Sequence, residues 1–340
     1  MLANSTRMSG KKRNTIEGEF ALIDRILKPL AAGIPAALGL TDDAAVFTPS
    51  KGNDLVLTKD AMVAGVHFRE SDLPGDVSRK LLRVNLSDLA AMGASPVGYL
   101  LATFWPEDLP HNWIERFAEG LALDQAEFHV GLMGGDTVRT SGPLSLSLTA
   151  IGEVAMDKAL RRNGAEEGDL IVVSGTIGDG ALGLMAAGEQ LSHLDPTHQE
   201  YLIDCYHLPE PRLALGQALV GKATSCIDIS DGLIADIGHL TEQSRLGAAI
   251  EWAKVPLSDA AEAAVQSDKA LIETVLTGGD DYELAFTLPS DRRDDLVKLA
   301  KEGGVPLTII GEMVEGEEGV RVKQEDGSDM PLTTRGWQHF

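Results

Sequence analysis

The sequence predicts a protein of two domains, each of mixed α+β or α/β type. Its length of 340 residues corresponds more often to two domains than to one. Strand patterns and helix patterns alternate in both halves of the chain, which is typical of mixed folds. A new series of these patterns begins near Lys158. We therefore predict domains at 19–156 and 157–340, after a tail at 1–18 that we expect to be disordered.

The first half is predicted to contain three helices and several strands. Apolar residues at helical spacing identify the helices, at 18–31, 77–94 and 112–128. Apolar or alternating runs identify the strands, at 55–58, in a run that ends at Phe68, at 129–137 and at 143–154. We expect Asp60 to lie in a loop between the first two strands, and Gly134 and Gly135 to form a turn.

The second half repeats this alternation of strands and helices. Strand patterns occur at 169–175, 225–230 and 281–289, and residues 306–316 close the unit. Helix patterns occur at 176–188, 212–220, 231–244 and 292–304. The first of these helices follows a Gly-rich turn, and the third is expected to carry Asp231 in its first turn.

Composition argues against several classes of partner and indicates the cellular setting. The chain has 52 acidic and 29 basic residues and a net charge of -23, which argues against nucleic acid or an anionic membrane as the main partner. The two cysteines lack zinc-site spacing, so that a reducing, cytoplasmic setting is expected. No apolar run approaches the length of a membrane-spanning helix, and the first residues lack the apolar region of a secretory signal.

Five short acidic motifs stand out because apolar residues or glycines surround their carboxylates, and Lys59 is the exception to their lack of lysines and arginines. They are TDDAAVF (Asp42, Asp43), TKDAMVAGVHF (Thr58, Asp60, His67), NLSDLAAMG (Asp88), MGGDT (Asp136) and DISDGL (Asp228, Ser230, Asp231). Each also fits a structural role when taken alone. Ser230 or Asp231 suits a helix N-cap, Asp136 suits a turn, and His67 suits a structural position on a strand.

Taken together, the acidic motifs indicate a cation site. Carboxylates gathered in one cleft repel each other by about 4 kcal/mol for each close pair at an effective dielectric constant of 20. Divalent cations relieve this repulsion, and oxygen ligands select Mg²⁺ or Ca²⁺. The chain has no EF-hand spacing, and single scattered acids suit Mg²⁺, which completes its coordination with water and phosphate oxygens.

Glycines next to two of the acids favour a phosphate ligand. The tripeptide GGD occurs at 134–136 and at 278–280, and glycines allow backbone N–H groups to approach phosphate oxygens. Neither a P-loop nor the motif set of protein kinases is present. Arg162 is a further candidate for pairing with a nucleotide phosphate, although a surface role also fits it.

In this order, the motifs resemble those of the thiamine-monophosphate kinase family of the PurM-like ATP-binding superfamily. The resemblance runs from about Gly18 to the C-terminal RGWQHF and includes NLSDLAAMGASP, IDISDGLIADIGH and GGDDYEL. It implies a PurM-like N-terminal α+β domain that forms a homodimer through its sheet, and a C-terminal α/β domain. It also implies transfer of a phosphoryl group from ATP to thiamine monophosphate, with Mg²⁺ as cofactor.

The resemblance assigns roles residue by residue. The residues that it implies as Mg²⁺ ligands are Asp43, Thr58, Asp60, Asp88, Asp136, Asp228 and Asp231, with Asp88 and Asp228 central to a metal-assisted transfer. Those implied as ATP contacts are Gly135, Asp136, Arg162 and Ser230. Those implied as substrate contacts are His67, Asp280 and Trp337. Trp337 suits stacking on the cationic thiazolium, and it equally suits anchoring of the chain terminus.

The chain departs from the family pattern at three positions. Thr41 replaces the usual Gly, Lys59 replaces a Thr, and Asp280 replaces a Glu. Lys59 cannot offer a side-chain oxygen to a metal. Two other functions remain open at this point: another ATP-dependent synthetase of the superfamily (aminoimidazole-ribotide, selenophosphate or hydrogenase-maturation type), and a non-catalytic dimer that binds divalent cations or nucleotides. The cysteines used by the selenophosphate and hydrogenase-maturation types are absent.

Overall fold

The computed structural model describes residues 19–316, 319–334 and 336, and these residues form two β-sheets. Four strands make the first sheet: β1 (Asn53–Val63), β2 (Ser95–Pro106), β3 (Leu132–Thr140) and β4 (Ser145–Ala155). Their order across the sheet is β1-β4-β2-β3, and β2 and β3 are parallel while the other pairs are antiparallel. Strands β1 and β3 therefore form the two edges.

Helices cover one face of this first sheet. They are α1 (Glu19–Leu22), α2 (Pro74–Ala91) and α3 (His111–Phe128), joined by helical turns at Ile23–Leu27, Lys28–Ala31 and Pro35–Leu40. Alternate residues of β4, including Leu146 and Leu148, are buried against Leu81 and Leu82 of α2 and Phe117 of α3. Burial of these side chains stabilises the first domain because it removes apolar surface from water.

The other face of the first sheet is open and partly apolar. Leu57 of β1 is 63% exposed, and Leu55, Leu100, Phe104 and Val138 are also exposed. The strand registers place all five side chains on this same face. Exposed apolar side chains grouped in this way are typical of a protein interface.

Six strands make the second sheet: β5 (Leu170–Ser174), β6 (Ser225–Asp228), β7 (Gly247–Glu251), β8 (Leu284–Leu288), β9 (Leu307–Val314) and β10 (Gly319–Lys323). Their order is β10-β7-β9-β5-β8-β6, and only β7 and β10 are parallel. Short apolar strands form here because both faces of the sheet are covered. Ile171 and Val173 face one layer of helices, and Val172 faces the other.

The described part of the second domain has seven helices: α4 (Asp179–Ala187), α5 (Pro196–His207), α6 (Leu213–Leu219), α7 (Leu233–Ser244), α8 (Asp259–Ser267), α9 (Leu271–Thr277) and α10 (Asp295–Gly303). Single helical turns lie at Trp252–Lys254 and Ser290–Arg292. The prediction of two mixed domains is confirmed. None of the helices in the described ranges combines the length and the apolar character needed to cross a lipid bilayer.

Helix α2 connects the two domains. Fourteen of its 18 residues are buried, although several are polar. Arg83 donates to the carbonyl oxygen of Pro209 and pairs with Glu210 in the second domain, at 3.2 and 3.0 Å. The C-terminal end of α2, at Ala90 and Ala91, packs in the same apolar cluster as α6 and α10. The helix is therefore enclosed by both domains.

Three local predictions were wrong. Asp60 does not lie in a loop, because β1 continues through it to Val63. Gly134 and Gly135 do not form a turn, because both lie within β3. Asp231 does not lie in the first turn of α7, because the helix begins at Leu233 after Gly232, whose φ is 119°.

Candidate active site

A cavity of about 960 Å³ lies between the two domains. The first domain contributes Asp60, His67 and Lys80 to its wall, and the second contributes Ser230, Asp231, Asp280 and other residues. Two of the acidic motifs, TKDAMVAGVHF and DISDGL, and the second GGD motif thus meet at one cavity. A cavity of this size between domains is a common place for a ligand site.

The first domain places four polar side chains at or beside this cavity, on strand β1 and helix α2. Thr58 and Asp60 are two residues apart on β1, so both side chains point to the face that α2 covers. The Thr58 hydroxyl donates to the carboxylate of Asp88 on α2. One turn earlier, Asn85 Oδ1 accepts a hydrogen bond from the Asp60 N–H at 3.1 Å. These contacts fix Asp60 and Asp88 next to each other.

The second domain adds Asp228, at the end of β6, and Asp231. Asp228 is buried, and its Oδ2 accepts a hydrogen bond of 2.7 Å from Ser87 of α2. This bond crosses between the domains. The Asp228 pKa lies well above its ordinary value, first because of burial and then because of the nearby Asp88 carboxylate. The chain thus assembles carboxylates that destabilise each other's ionised forms.

The pKa values of Asp60 and Asp88 are raised in the same way. Burial, together with the smaller effects of the Asp88 and Asp231 carboxylates, raises the pKa of Asp60 to about 7. The pKa of Asp88 is also raised by burial, although the hydrogen bond from Thr58 and the charge of Arg162 oppose this shift. Arg162 therefore lies close enough to interact with the cluster.

This set of oxygens fits Mg²⁺. Among the residues that the structure describes, no three Asp, Glu, His or Cys side chains are close enough to enclose an ion by themselves. Mg²⁺ does not need such an enclosure, because it is held by one or two carboxylates and completes its shell with water and phosphate oxygens. The pKa values of Asp60, Asp88 and Asp228 are raised because burial disfavours their ionised forms. A bound cation would favour the ionised carboxylates again, and these would supply the negative charge that it requires.

Metal-free protein is expected to lose stability as the pH rises from about 4 to about 7. The pKa of Asp60 is raised from 3.8 to about 7 on folding, so the folded state binds more protons than the unfolded state within this window. The free energy of unfolding therefore decreases with rising pH, by up to a few kcal/mol for each such group. Thermal unfolding in EDTA at several pH values measures this slope. Asp60→Asn should flatten it, and an unchanged slope would contradict the assignment.

One buried side chain organises the loop that carries Ser230 and Asp231. Asp236 of α7 is buried, and its Oδ2 accepts hydrogen bonds from the backbone N–H groups of Ser230, Asp231 and Gly232, at 3.0 to 3.1 Å. Burial raises the pKa of Asp236 to about 7, against the effect of these bonds. Asp236 is therefore a structural residue that shapes the loop.

The second GGD motif is held against the same loop. The Asp280 N–H donates to the carbonyl oxygen of Ser230 at 2.9 Å. A Cβ at Gly279 would lie 2.1 Å from that oxygen, a separation that real Cβ atoms do not adopt. Glycine is thus required at this position for close backbone packing, which is a different reason from the phosphate approach that the sequence suggested.

Gly279→Ala is expected to destabilise the protein by about 1–3 kcal/mol, because the added methyl forces the two loops apart. Chemical denaturation measures the change in the free energy of unfolding. Gly238→Ala is the matched control, since a Cβ there meets no atom within 4 Å. Equal stabilities for the two variants would show that the loops adapt without cost.

Three of the proposed ligands and contacts lie away from this cluster. Asp60 pairs with Leu148, Leu148 with Leu101, and Leu101 with Gly135, so three strand spacings of about 4.8 Å separate Gly135 from Asp60. Asp136 follows on the β3 edge and is exposed. By strand alternation its side chain lies on the open face of the sheet, opposite to that of Asp60.

Asp43 also lies outside the cluster. It is exposed, and it is not among the residues that line the cavity. Its segment is tied to the turn at Pro35–Leu40 by a hydrogen bond from the Val46 N–H to the carbonyl oxygen of Ala36. The neighbouring Ile34 packs against Gly131 at the start of β3. The segment that carries Asp43 therefore lies on the side of the domain where β3 forms the edge of the sheet.

The departures from the family pattern have simple local consequences. Thr41 has an ordinary φ of -111°, and its hydroxyl donates to the carbonyl oxygen of Leu38, so a side chain is accommodated there. Lys59 points to the open face, where its ammonium lies 3.4 Å from the Thr149 hydroxyl. Lys59 therefore does not enter the carboxylate cluster.

Two of the three proposed substrate contacts line the cavity, namely His67 and Asp280. Trp337 lies outside the described residues. Sequence reasoning missed four residues that the structure places at or next to the site: Lys80, Asn85, Ser87 and Tyr206. The sequence offered one signal for these residues. Lys80 and Ser87 are polar, lie seven residues apart, and therefore share one side of helix α2.

Comparison with known proteins decides the family. The family "AIR synthase related protein, N-terminal domain" matches residues 41–154, and the family of the corresponding C-terminal domain matches residues 166–323. The thiamine-monophosphate kinase of Caulobacter vibrioides is 43% identical over 324 residues, which cover 94% of this chain and 90% of the relative. This chain belongs to the thiamine-monophosphate kinase family.

Solved structures of the thiamine-monophosphate kinase family share the fold. The crystal structure of the enzyme from Stenotrophomonas maltophilia K279a superposes with a TM-score of 0.81 at 41% identity and covers 92% of this chain and 98% of its own. AaThiL complexed with AMPPCP and TMP has a TM-score of 0.76 at 32% identity, over 98% of this chain and 100% of its own. The expected two-domain, PurM-like architecture is confirmed.

Proposed function

We propose that this chain transfers the γ-phosphoryl group of ATP to thiamine monophosphate, giving ADP and thiamine diphosphate. The observation that carries this proposal is a carboxylate cluster at the interdomain cavity: Asp60 and Asp231 line the cavity, and Asp88 and Asp228 interact with them from beside it. Such a cluster suits a polyphosphate with its cations. The membership of the chain in a kinase family supports the same function. AaThiL, a relative of the same fold, has been solved with both an ATP analogue and TMP.

The residues that would hold Mg²⁺ are Thr58, Asp60, Asp88, Asp228 and Asp231. When bound, Mg²⁺ neutralises charge on the phosphate oxygens and aligns them. The protein contributes by fixing these oxygens: Thr58 orients Asp88, Ser87 orients Asp228, and Asp236 shapes the Ser230–Gly232 loop. Arg162, which lies near Asp88, and Ser230 are proposed to contact ATP.

A direct in-line transfer suits this site. The acceptor is a phosphate oxygen that is largely ionised near neutral pH, so no strong general base is needed. The described cavity has His67 in its wall, but the His67 Nδ1 accepts a hydrogen bond from the Val63 N–H at 3.1 Å, a structural contact. Positioning of the two phosphate chains is therefore proposed as the main catalytic contribution of the protein.

The test of this function is formation of thiamine diphosphate by the purified protein from ATP and thiamine monophosphate, with and without Mg²⁺. Chromatographic separation of the thiamine esters identifies the product, and a coupled assay follows ADP. Mg²⁺-dependent formation of both products in equal amounts is expected. ADP formation that does not depend on thiamine monophosphate would point to another ATP-dependent reaction of the superfamily, and no turnover would favour a non-catalytic nucleotide-binding protein.

We further propose a homodimer formed through the open face of the first sheet. The exposed Leu55, Leu57, Leu100 and Phe104 form an apolar surface of the kind that a second copy covers. Asp136 lies on this face, and its edge strand β3 is three strand spacings from β1. We propose that the β3 edge of one chain lies beside β1 of the partner, so that Gly135, Asp136 and Asp43 complete the partner's nucleotide site.

Mixing two inactive variants tests this shared site. Asp60→Asn and Asp136→Asn are each expected to be nearly inactive as homodimers. After exchange of subunits at equal amounts, half of the dimers are mixed and each has one intact site, so about a quarter of wild-type activity should return. Size-exclusion chromatography with light scattering confirms the dimers. Absence of rescue, despite proven exchange, would place Asp136 in the site of its own chain.

The cellular setting is proposed to be the cytoplasm. Cys205 and Cys226 are both free thiols in the described structure, as expected in a reducing compartment. Burial raises the pKa of the Cys205 thiol to about 12, so it is not a reactive thiolate near neutral pH. Both cysteines are therefore read as structural.

A further inference from the structure

A buried ammonium group forms part of the cavity wall. Lys80 of α2 is 3% exposed, and its side chain lines the cavity. Its Nζ lies 3.2 Å from Asp280 Oδ2 and 3.6 Å from the centre of the Tyr206 ring. No acceptor in the described structure is aligned to make a hydrogen bond with this nitrogen. A buried charge in this state is costly unless a ligand or water completes its contacts.

The partner carboxylate is held in a fixed and unusual position. Asp280 has a φ of 73°, a left-handed conformation that non-glycine residues seldom adopt. Its Oδ1 accepts a hydrogen bond of 3.2 Å from the Tyr282 hydroxyl, which leaves Oδ2 beside Lys80. Backbone strain of this kind is typical of ligand sites. The wall thus presents a donor and an acceptor side by side.

The surroundings of this pair suit a flat ring. Apolar side chains line the same cavity, including Met62, Phe68, Leu184 and Met185. The carboxylate cluster lies further along α2: Ser87, which binds Asp228, is seven residues after Lys80 on the same side of the helix. Seven residues correspond to a rise of about 10 Å. Along α2, Lys80 therefore lies about two helical turns from the carboxylate cluster. Asp280, whose N–H donates to the Ser230 carbonyl oxygen, joins this end of the cavity to the loop that carries Asp231.

We propose that Lys80 is a specificity-determining residue that, together with Asp280, binds the amino-pyrimidine edge of the substrate. In a 4-aminopyrimidine, a ring nitrogen that accepts hydrogen bonds stands next to an amino group that donates them. Lys80 donates to the ring nitrogen and Asp280 accepts from the amino group, so the two edges are complementary. This inference rests on the proposed function and adds to it the residue that recognises the pyrimidine ring of the substrate.

The test compares two ligands and two variants. Isothermal titration calorimetry gives the Kd of the full-length protein for thiamine monophosphate and for a phosphate ester analogue in which CH replaces that ring nitrogen. Wild type is expected to bind thiamine monophosphate at least tenfold more tightly, since a hydrogen bond to a buried charge is lost in the analogue. Lys80→Met should reduce this preference to less than about twofold. Lys254→Met, an exposed lysine paired with Glu251, is the control and should keep it.

Each outcome bears on one claim. Equal affinities of wild type for the two ligands overturn the inference, and this result does not depend on the folding of any variant. Retention of the tenfold preference by a folded Lys80→Met protein, with an unchanged unfolding temperature, overturns it as well. Failure of wild type to form thiamine diphosphate instead overturns the proposed function, so the two failures can be told apart.

Discussion

Replacing Asp228 by Asn is expected to lower the rate of thiamine diphosphate formation at least about 100-fold, while the protein stays folded. Asp228 is the most enclosed carboxylate of the cluster, and its pKa is raised by burial and by Asp88. The amide removes a negative charge that a divalent cation needs, so charge on the phosphates is no longer neutralised. The same change relieves repulsion in metal-free protein, so its unfolding temperature should stay equal or rise.

Steady-state kinetics and thermal unfolding with and without Mg²⁺ measure both effects. Wild type should gain stability on addition of Mg²⁺ and ATP, and Asp228→Asn should lose most of that gain, because the ligand then binds the folded state more weakly. Asp88→Asn is expected to behave in the same way. Asp76→Asn, at the start of α2 and outside the cavity wall, is the matched control. Full activity of Asp228→Asn would rule out the shared metal site.

Asp236→Ala is expected to have the second-largest effect, although this residue contacts neither ligand in the proposed site. Its carboxylate accepts the backbone N–H groups of Ser230, Asp231 and Gly232. Hydrogen bonds to a charged group contribute about 1.5–3 kcal/mol each, and three donors lose their partner at once. We expect a loss of stability of a few kcal/mol and a large fall in kcat/KM for ATP, because Ser230 and Asp231 lose their fixed positions.

The variant Asp236→Asn separates the effect of the negative charge of Asp236 from the effect of its hydrogen bonds to the loop. The Asn oxygen still accepts from the loop, so this variant should keep more of the activity than Asp236→Ala. Denaturant unfolding and kinetics at saturating thiamine monophosphate measure the two quantities. Wild-type kinetics in a destabilised Asp236→Ala protein would show that the loop keeps its shape without the carboxylate.

The long, periodic elements of the fold were predictable from sequence, whereas elements with polar or irregular positions were not. Helices α2 and α3 and strand β4 follow clear apolar patterns. Strand β2 was missed because Pro96 and Gly98 interrupt its pattern, and the register with β4 shifts at that point. Asp60 disfavours a strand by propensity, yet its backbone pairs with Leu148 while its side chain faces α2. Tertiary contacts decide such positions.

The residues of the site likewise fall into those that the sequence could predict and those that it could not. The acids that belong to one cleft, such as Asp60, Asp88 and Asp228, could be recognised by their apolar surroundings in the sequence. The separation of Asp136 from Asp60 could not, because it depends on strand order. Lys80 was missed because sequence does not show that a lysine on a helix is buried, and the structure places it against Asp280 and Tyr206.

The burial of α2 between the two domains has consequences for amide hydrogen exchange and for how fast its sequence can diverge. With 14 of 18 residues buried between two domains, its amide hydrogens should exchange with solvent only when the whole molecule opens. Few positions on it are free to vary, because one side packs in the core and the other carries Lys80, Arg83 and Ser87 against the second domain. Among sequences of this family, α2 should therefore be the segment that diverges most slowly.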